Sequence, residues 1–438
     1  MRTSIRLTII LLIIAAIVWW GREPLKQARE HLRQQELSQN EETRGPLRLF
    51  SPEEPERAEG QREGYGDSGA LIEPGSPLLV ELVEAPATHY GQAKASESDQ
   101  HYMRLSRRFD GLRYEPAMGH AARELAGFHS QHERLASGEV LSFLLDAGGA
   151  AEWSVEQIVK ITSEEGDKAI TDLLARVAES WKRGAPPLRL GIGEAWTLGR
   201  PARRHVIALV SRGRLELDRV AREVNLGSSI EVSGRVPHEI KEMEVLVMGP
   251  DLVVMEAALS QSGRGFKSVI PVGESSGQMW IELIGVSDQG PKPMAQLSVF
   301  IHEALPWTFE THWPADEGHL EKVAQAEEHA FMLFQADRER FGLPLLKRSR
   351  ELDAVARAHS EDMAVHNFFA HVSPRTGSVS DRIHHAEIKT VFHGENIARN
   401  STLSDAQAGL MRSIGHRRNI LHPRATEVGI GIAAVEGS

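Results

Sequence analysis

The chain has no cysteine. That excludes disulfides, thiolate metal sites, cysteine nucleophiles and a cysteine-linked lipid anchor, so the folded product must be stable without covalent staples. Positive charge is also short: 50 Lys and Arg stand against 61 Asp and Glu, a formal net charge of −11. Aromatic residues make up 6%, and no basic stripe is interleaved with them, so no nucleic-acid partner is expected. Otherwise the acidity speaks mainly to solubility.

A long uncharged run opens the chain. Residues 7–20 read Leu-Thr-Ile-Ile-Leu-Leu-Ile-Ile-Ala-Ala-Ile-Val-Trp-Trp, after Arg2 and Arg6, with two tryptophans suited to a membrane interface. As a helix the run would span only ~21 Å of a ~30 Å hydrocarbon core, a length that favours an export signal. No Ala-x-Ala cleavage pattern follows it, which favours an uncleaved anchor helix with Arg6 snorkelling. Arg22, Lys26, Arg29 and Arg33 compete with Arg2 and Arg6 in setting orientation. The expectation is a membrane-anchored chain with its bulk outside the cytoplasm, in a periplasm or at a cell surface, or a secreted one if the signal is cleaved. A cysteine-free product fits a Gram-negative periplasm.

The 438 residues imply two to three domains at ~150 residues each. We expect a multidomain α+β chain: a signal anchor at 1–26, a disordered acidic and polar tether at 27–94, and an α+β unit at 95–212. A β-sandwich of immunoglobulin-like type follows at 213–305, then a linker at 306–318 and a C-terminal domain at 319–438. The tether is rich in Glu, Arg, Gln, Ser, Gly and Pro and too poor in apolar residues to offset its ordering entropy. In the first α+β unit, helical spacing covers 107–126, 141–147 and 154–181, and 205–210 reads as a strand. The sandwich is read from short strands at 229–233, 244–248, 252–256, 267–272, 279–286 and 295–301, separated by turn signals.

Two parts of the chain resemble each other. Leu190-Gly191-Ile192-Gly193 returns as Val428-Gly429-Ile430-Gly431, and Ala121-Ala-Arg123 as Val355-Ala-Arg357. We read a diverged internal duplication whose first copy lacks a site. In the second copy a helix over 320–341 ends at Gly342 as a left-handed residue. A second, over 349–366, buries Leu352, Val355, Ala356 and Met363 and ends at Asn367. A capping box, Ser404 to Gln407, opens a third, with Leu403 before it.

The densest signal lies between residues 367 and 431: Phe-Phe-Ala-His371-Val-Ser-Pro, Gly394-Glu395-Asn396-Ile-Ala, Ser413-Ile-Gly415-His416-Arg-Arg-Asn419-Ile-Leu and Glu427-Val-Gly-Ile-Gly431. Two histidines and a carboxylate are a set that can hold a divalent cation or move protons near neutral pH. The other histidines, including His359, His366, His384, His385, His393 and His422, read as surface or hydrogen-bonded residues, and Asn396 and Asn419 as loop-fixing amides. Glu395 could also serve structurally, pinning its loop.

These ordered motifs, over roughly the last quarter of the chain, resemble the bacterial members of the CAP superfamily, which groups the cysteine-rich secretory, antigen 5 and pathogenesis-related proteins and is also called SCP-like. The resemblance implies an α-β-α sandwich with an open cleft lined by two histidines and two acidic residues, the histidine pair able to take up a divalent cation. His371 matches the first histidine, Glu395 the acid of Gly-Glu-Asn, and His416 the second histidine. The other acid should fall within 410–413, where this chain offers Ser413. The first copy follows its Gly-Ile-Gly strand with another, whereas the chain stops at Ser438; the expectation is a C-terminal sheet without its last strand and with an exposed edge.

The reading that follows is an exported, membrane-tethered CAP protein whose cleft, His371, Glu395 and His416, binds a divalent cation through His371 and His416, zinc being the first candidate, together with a cell-envelope, lipid or protein ligand. The alternatives are a metal-dependent hydrolase acting on peptide or cell-envelope material and a non-catalytic adhesion or envelope-organising module.

Overall fold

A computed structural model describes residues 7–17, 75–91, 93–197, 202–313, 317, 322–400 and 402–436. Residues 1–6 and 18–74 fall outside this set, and with them the flanks of the expected anchor and most of the expected tether. The described N-terminal run forms strand β1 (Leu7–Ile17).

The first α+β unit runs β2 (Pro77–Glu81), β3 (His89–Tyr90), α1 (Glu97–Ser106), β4 (Leu112–Tyr114), α2 (Pro116–His132), α3 (Gly138–Ala147), β5 (Val155–Thr162), α4 (Lys168–Glu179), β6 (Leu188–Thr197) and β7 (Arg203–Ser211). Its sheet has the order β4-β6-β7-β5. Order begins before the expected end of the tether at 94, because Glu124 on α2 accepts backbone N–H groups of Val83 and Glu84 and fixes the chain after β2. Residues 155–162, expected to be helical, instead pair along β7. Their β-branched Val155, Ile158, Val159, Ile161 and Thr162 suit a pleated surface better than a helix interior.

The middle unit is all β: β8 (Glu216–Leu217), β9 (Val220–Ala221), β10 (Glu223–Val224), β11 (Ser229–Arg235), β12 (Glu242–Met248), β13 (Val254–Glu256), β14 (Leu259–Ser262), β15 (Gly265–Pro271), β16 (Gly277–Ser287) and β17 (Gly290–Ile301). One sheet is ordered β10-β17-β16-β12-β13 and the other β14-β15-β11-β8. Val232 and Ile270 from one and Val245, Ile281 and Leu297 from the other meet in one core with no exposure. Strand β18 (Thr308–His312) falls within the expected linker and pairs with β2.

The C-terminal unit comprises α5 (Val323–Arg340), β19 (Lys347–Arg348), α6 (Arg350–His366), α7 (Val379–His385), β20 (Phe392–Asn400), α8 (Leu403–Arg412), α9 (Ile414–Ile420) and β21 (Glu427–Glu436). Several ends follow the sequence. Gly342 has φ +65°, and the Leu343 N–H returns to Arg338 O. Asn367 closes α6 in the left-handed region. The third helix starts two residues earlier than its capping box suggested: Thr402 is the N-cap and accepts from Asp405 N, while Glu317 takes the N–H groups of Leu403 and Ser404.

The repeated Gly-x-Gly is a packing device. A Cβ on Gly191 or Gly193 would lie 2.1 Å from backbone atoms of Met118 or Ala122 on α2, and one on Gly429 or Gly431 within 2.2 Å of Leu352 or Arg357 on α6. In both units, therefore, a helix lies on a strand closer than any side chain permits. Arg123 on α2 bonds Asp99 on α1 at 2.8 Å, and Arg357 on α6 bonds Glu327 on α5 at 2.6 Å. The C-terminal sheet, β19-β21-β1-β20, matches the first strand for strand, with β1 in the place of β7.

Two expectations change here. The run read as an anchor helix is extended in the structure, antiparallel to β21 from Leu7↔Glu436 to Ala16↔Glu427 and to β20 from Ile9↔Asn400 to Ile17↔Phe392. Its isoleucines and threonine favour strand as much as helix, and both backbone edges are hydrogen-bonded there. The flank of β21 expected to be an exposed edge is covered by β1. Among the described residues no helix is long and apolar enough to cross a membrane.

Ile13→Pro tests the strand directly. Proline removes a ladder hydrogen bond in the middle of a sheet, so amide exchange across 392–400 and 427–436 should speed up at least tenfold; unchanged exchange there would remove β1 from the folded C-terminal unit.

Candidate functional site

Three separate segments bring the site together. His371 follows the left-handed turn at Asn367, Glu395 lies near the start of β20, and His416 sits in the first turn of α9. The sequence had grouped these three, and the structure gathers them, though in unequal roles.

Glu395 is buried, 7% exposed, with both oxygens engaged. Its Oε1 lies 2.8 Å from His371 Nδ1, and its Oε2 accepts from Arg382 Nη2. Because an ionised carboxylate only accepts, His371 Nδ1 carries a hydrogen, and whenever the ring is neutral Nε2 is its lone-pair nitrogen. Burial pushes the Glu395 carboxyl upward, but the His371 bond and the Arg382 charge outweigh it and hold the group below the usual carboxylate range. Glu395 is thus a positioning residue for His371, with each of its oxygens already bonded within the protein.

Arg382 escaped the sequence reading. It is 6% exposed and also donates to the Gly377 and His371 carbonyls. The box Ser378 to Asp381, which caps α7, marks where this helix starts but not whom its arginine meets.

His416 is half-buried, and its Nδ1 is sealed from solvent without a hydrogen-bond partner. Burial, aided by the nearby His371, lowers its pKa to about 3, so the ring is neutral at physiological pH. The two imidazoles are 6.4 Å apart between centroids, with planes 28° from parallel. Asn396 donates to His416 O at 2.9 Å, and Asn419 donates to Asn396 Oδ1 at 2.9 Å; both amides fix the loop.

Other histidines stand apart from this pair. His359 is buried and meets the Ala370 carbonyl, His393 pairs with Ser380, and His366 pairs with Asp362. At the position of the missing acid, Ser413 donates its hydroxyl at 2.6 Å to Glu282, a fully buried carboxylate on β16 of the middle unit. The sequence reading found no clustered acid in that unit and passed over Glu282, whose partner lies 131 positions away.

The donor set fits a cation in part. His371 Nε2 and a neutral His416 with an unpartnered buried nitrogen are donors of the type a divalent cation takes, with the ring centroids 6.4 Å apart. Among the described residues, however, no group of three or more His, Asp or Glu is arranged to hold a metal. Two protein ligands would leave the remaining positions to water or to a bound molecule.

Two measurements check this arrangement. Arg382→Met strands a buried carboxylate and should cost on the order of 3–5 kcal/mol of stability in urea unfolding, most of it restored in the Arg382→Met/Glu395→Gln double variant. In the unfolded chain His416 protonates near pH 6.5, in the folded one near 3, so the unfolded state takes up the proton first and stability falls as pH drops through that window. One proton sets a ceiling of ~1.4 kcal/mol per pH unit. With chelator present, His416→Gln should flatten the decline between pH 6.5 and 4.5 relative to wild type.

Comparison with known proteins places this geometry. Residues 333–437 match the family model of the CAP, or cysteine-rich secretory protein, family. Over 110 residues, 25% of this chain and 43% of its own length, YkwD of Bacillus subtilis (strain 168), described as an uncharacterized protein, is 38% identical. Over 119 residues, 27% of this chain and 34% of its own length, YlbC of the same organism, described as an uncharacterized membrane protein, is 34% identical. The chain thus spans less than half the length of either relative. A crystal structure of an extracellular SCP-domain protein from Bacillus anthracis aligns at a TM-score of 0.25 with 20% identity, over 50% of this chain and 83% of that one. Matched by the family model over 333–437, a range that includes His371, Glu395 and His416, and similar to YkwD over 110 residues, the C-terminal region of this chain is a bacterial CAP domain.

Proposed function

We propose that the C-terminal region is an extracytoplasmic binding domain in which His371 and His416 take up a divalent cation, zinc being the first candidate, and through its open coordination positions a cell-envelope, lipid or protein ligand. The observation that carries this reading is the Glu395 bond to His371 Nδ1, which leaves Nε2 as the nitrogen a cation would take, with the His416 ring 6.4 Å away between centroids. Carboxylate-backed histidines of this kind are the usual support of a metal ligand.

The hydrolase reading is less well served. Zinc-bound water could be activated here, but Glu395 has both oxygens committed and Ser413 stands where a second acid would serve as base. The middle unit, read as an immunoglobulin-like sandwich, and the first α+β unit, read as a diverged copy of the C-terminal fold, would support this domain. Placement outside the cytoplasm draws on the apolar N-terminal run and on the descriptions of YlbC as a membrane protein and of the Bacillus anthracis protein as extracellular. The run 7–17 serves in one role at a time, as a membrane anchor or as β1.

The test is zinc titration of the full chain in detergent by calorimetry, for wild type and for His371→Ala/His416→Ala. One zinc per chain in wild type, weakened at least a hundredfold in the double variant, is the expected result. An equal affinity in both proteins, or none in wild type, would overturn the cation reading.

A further inference from the structure

We infer that the β16–β17 hairpin of the middle unit is a built-in part of the histidine site, with Glu282 positioning His416 and the Gln289–Gly290 turn positioning His371 from across the domain boundary. The inference goes beyond the cation reading, since it concerns how the two rings are held and not what they hold.

Glu282 carries the first half. It projects from β16 into the α8–α9 junction of the C-terminal unit with no solvent exposure. Its Oε1 accepts from Ser413 Oγ at 2.6 Å and its Oε2 from Gly415 N at 2.8 Å. The same Ser413 oxygen is the N-cap of α9 and accepts from His416 N at 3.3 Å. A serine hydroxyl has one proton; once that proton is committed to Glu282, the oxygen is left to accept from His416. Glu282 therefore fixes the acceptor that starts the helix carrying His416, and while burial pushes its carboxyl above the usual range, the donors of Ser413, Gly415 and Ile414 oppose that shift.

Burial asks for this match. A carboxylate out of water is tolerated only when donors meet it, and α9 supplies them. Apolar contacts seal the same joint: Ile414 packs with Leu246, Met248 and Ile284 of the middle unit, and Gln296 on β17 donates to Arg412 O at 2.7 Å.

The hairpin's far end carries the second half. Gln289 O accepts Val372 N at 3.1 Å, next in the chain to His371. Gly290 has φ +96°, and a Cβ added to it would lie 2.9 Å from His371 Cβ. Both the backbone sign and the close approach require glycine here. The two histidines reach the site on segments 45 residues apart (416 − 371), and one hairpin holds both.

The experiment is histidine imidazole ¹⁵N chemical shifts at a fixed pH of 7.5, with amide exchange at 414–420, in the full chain without metal. The variants are Glu282→Gln, Ser413→Ala and Gly290→Val, with Glu231→Gln on the exposed face of β11 as a control. Expected are altered His416 shifts and at least tenfold faster exchange at 414–420 in the first two, altered His371 shifts in the third, and wild-type values in the control. If Glu282→Gln fails to fold, Ser413→Ala decides the first half, because it removes the relay and leaves the carboxylate bonded to Gly415. Histidine signals and α9 exchange at wild-type values in folded Ser413→Ala and Glu282→Gln would overturn the inference. Shifts that move in a protein that binds no zinc would sink only the cation reading.

Discussion

A carboxylate removed from water must find its donors inside the protein, and the C-terminal unit is organised around three that do. Glu395 is met by His371 and Arg382. Glu327, 1% exposed, is met by Arg357 at 2.6 Å. Glu282 is met by the first turn of α9. Breaking either of the first two strands a buried charge, which costs more than the intact pair contributes; breaking the third leaves a buried polar group without its donors. The first aims a histidine, the second joins α5 to α6, and the third joins two domains.

The same logic separates the roles of the two histidines. His371 is held by a charged network that fixes its proton on Nδ1. His416 has no such partner and is kept neutral by burial. One ring is oriented by a bond and the other by its helix and domain contacts, so the geometry between them depends on everything that places α9. A C-terminal fragment cut from the middle unit would lose Glu282 and uncover Ile414, which has no exposure in the intact chain.

What could be read from the sequence followed local rules. Gly342 and Asn367 end helices because left-handed residues favour them, and the buried face of α6 repeats at helical spacing. The histidines and Glu395 stood out because each lay in its own distinctive segment. What could not be read required partners distant in the chain: Arg382 behind Glu395, Glu282 behind Ser413, and β1 beside β21. The strand at 155–162 was misread because valine and isoleucine at 155, 158 and 159 satisfy a helical period by accident, while their β-branched shape belongs to a sheet. Gly191-Ile-Gly193 and Gly429-Ile-Gly431 were visible as a repeat, but their purpose, helices lying on bare strand backbone, needed coordinates.

The central claim is that His371 and His416 form one cation site. Crystals of the full chain grown with zinc, measured on both sides of the zinc absorption edge, test it most directly. The account predicts an anomalous peak within ~2.2 Å of a nitrogen of each ring, with Glu395 still bonded to His371. A peak bound to only one histidine, or none at the pair, would contradict it.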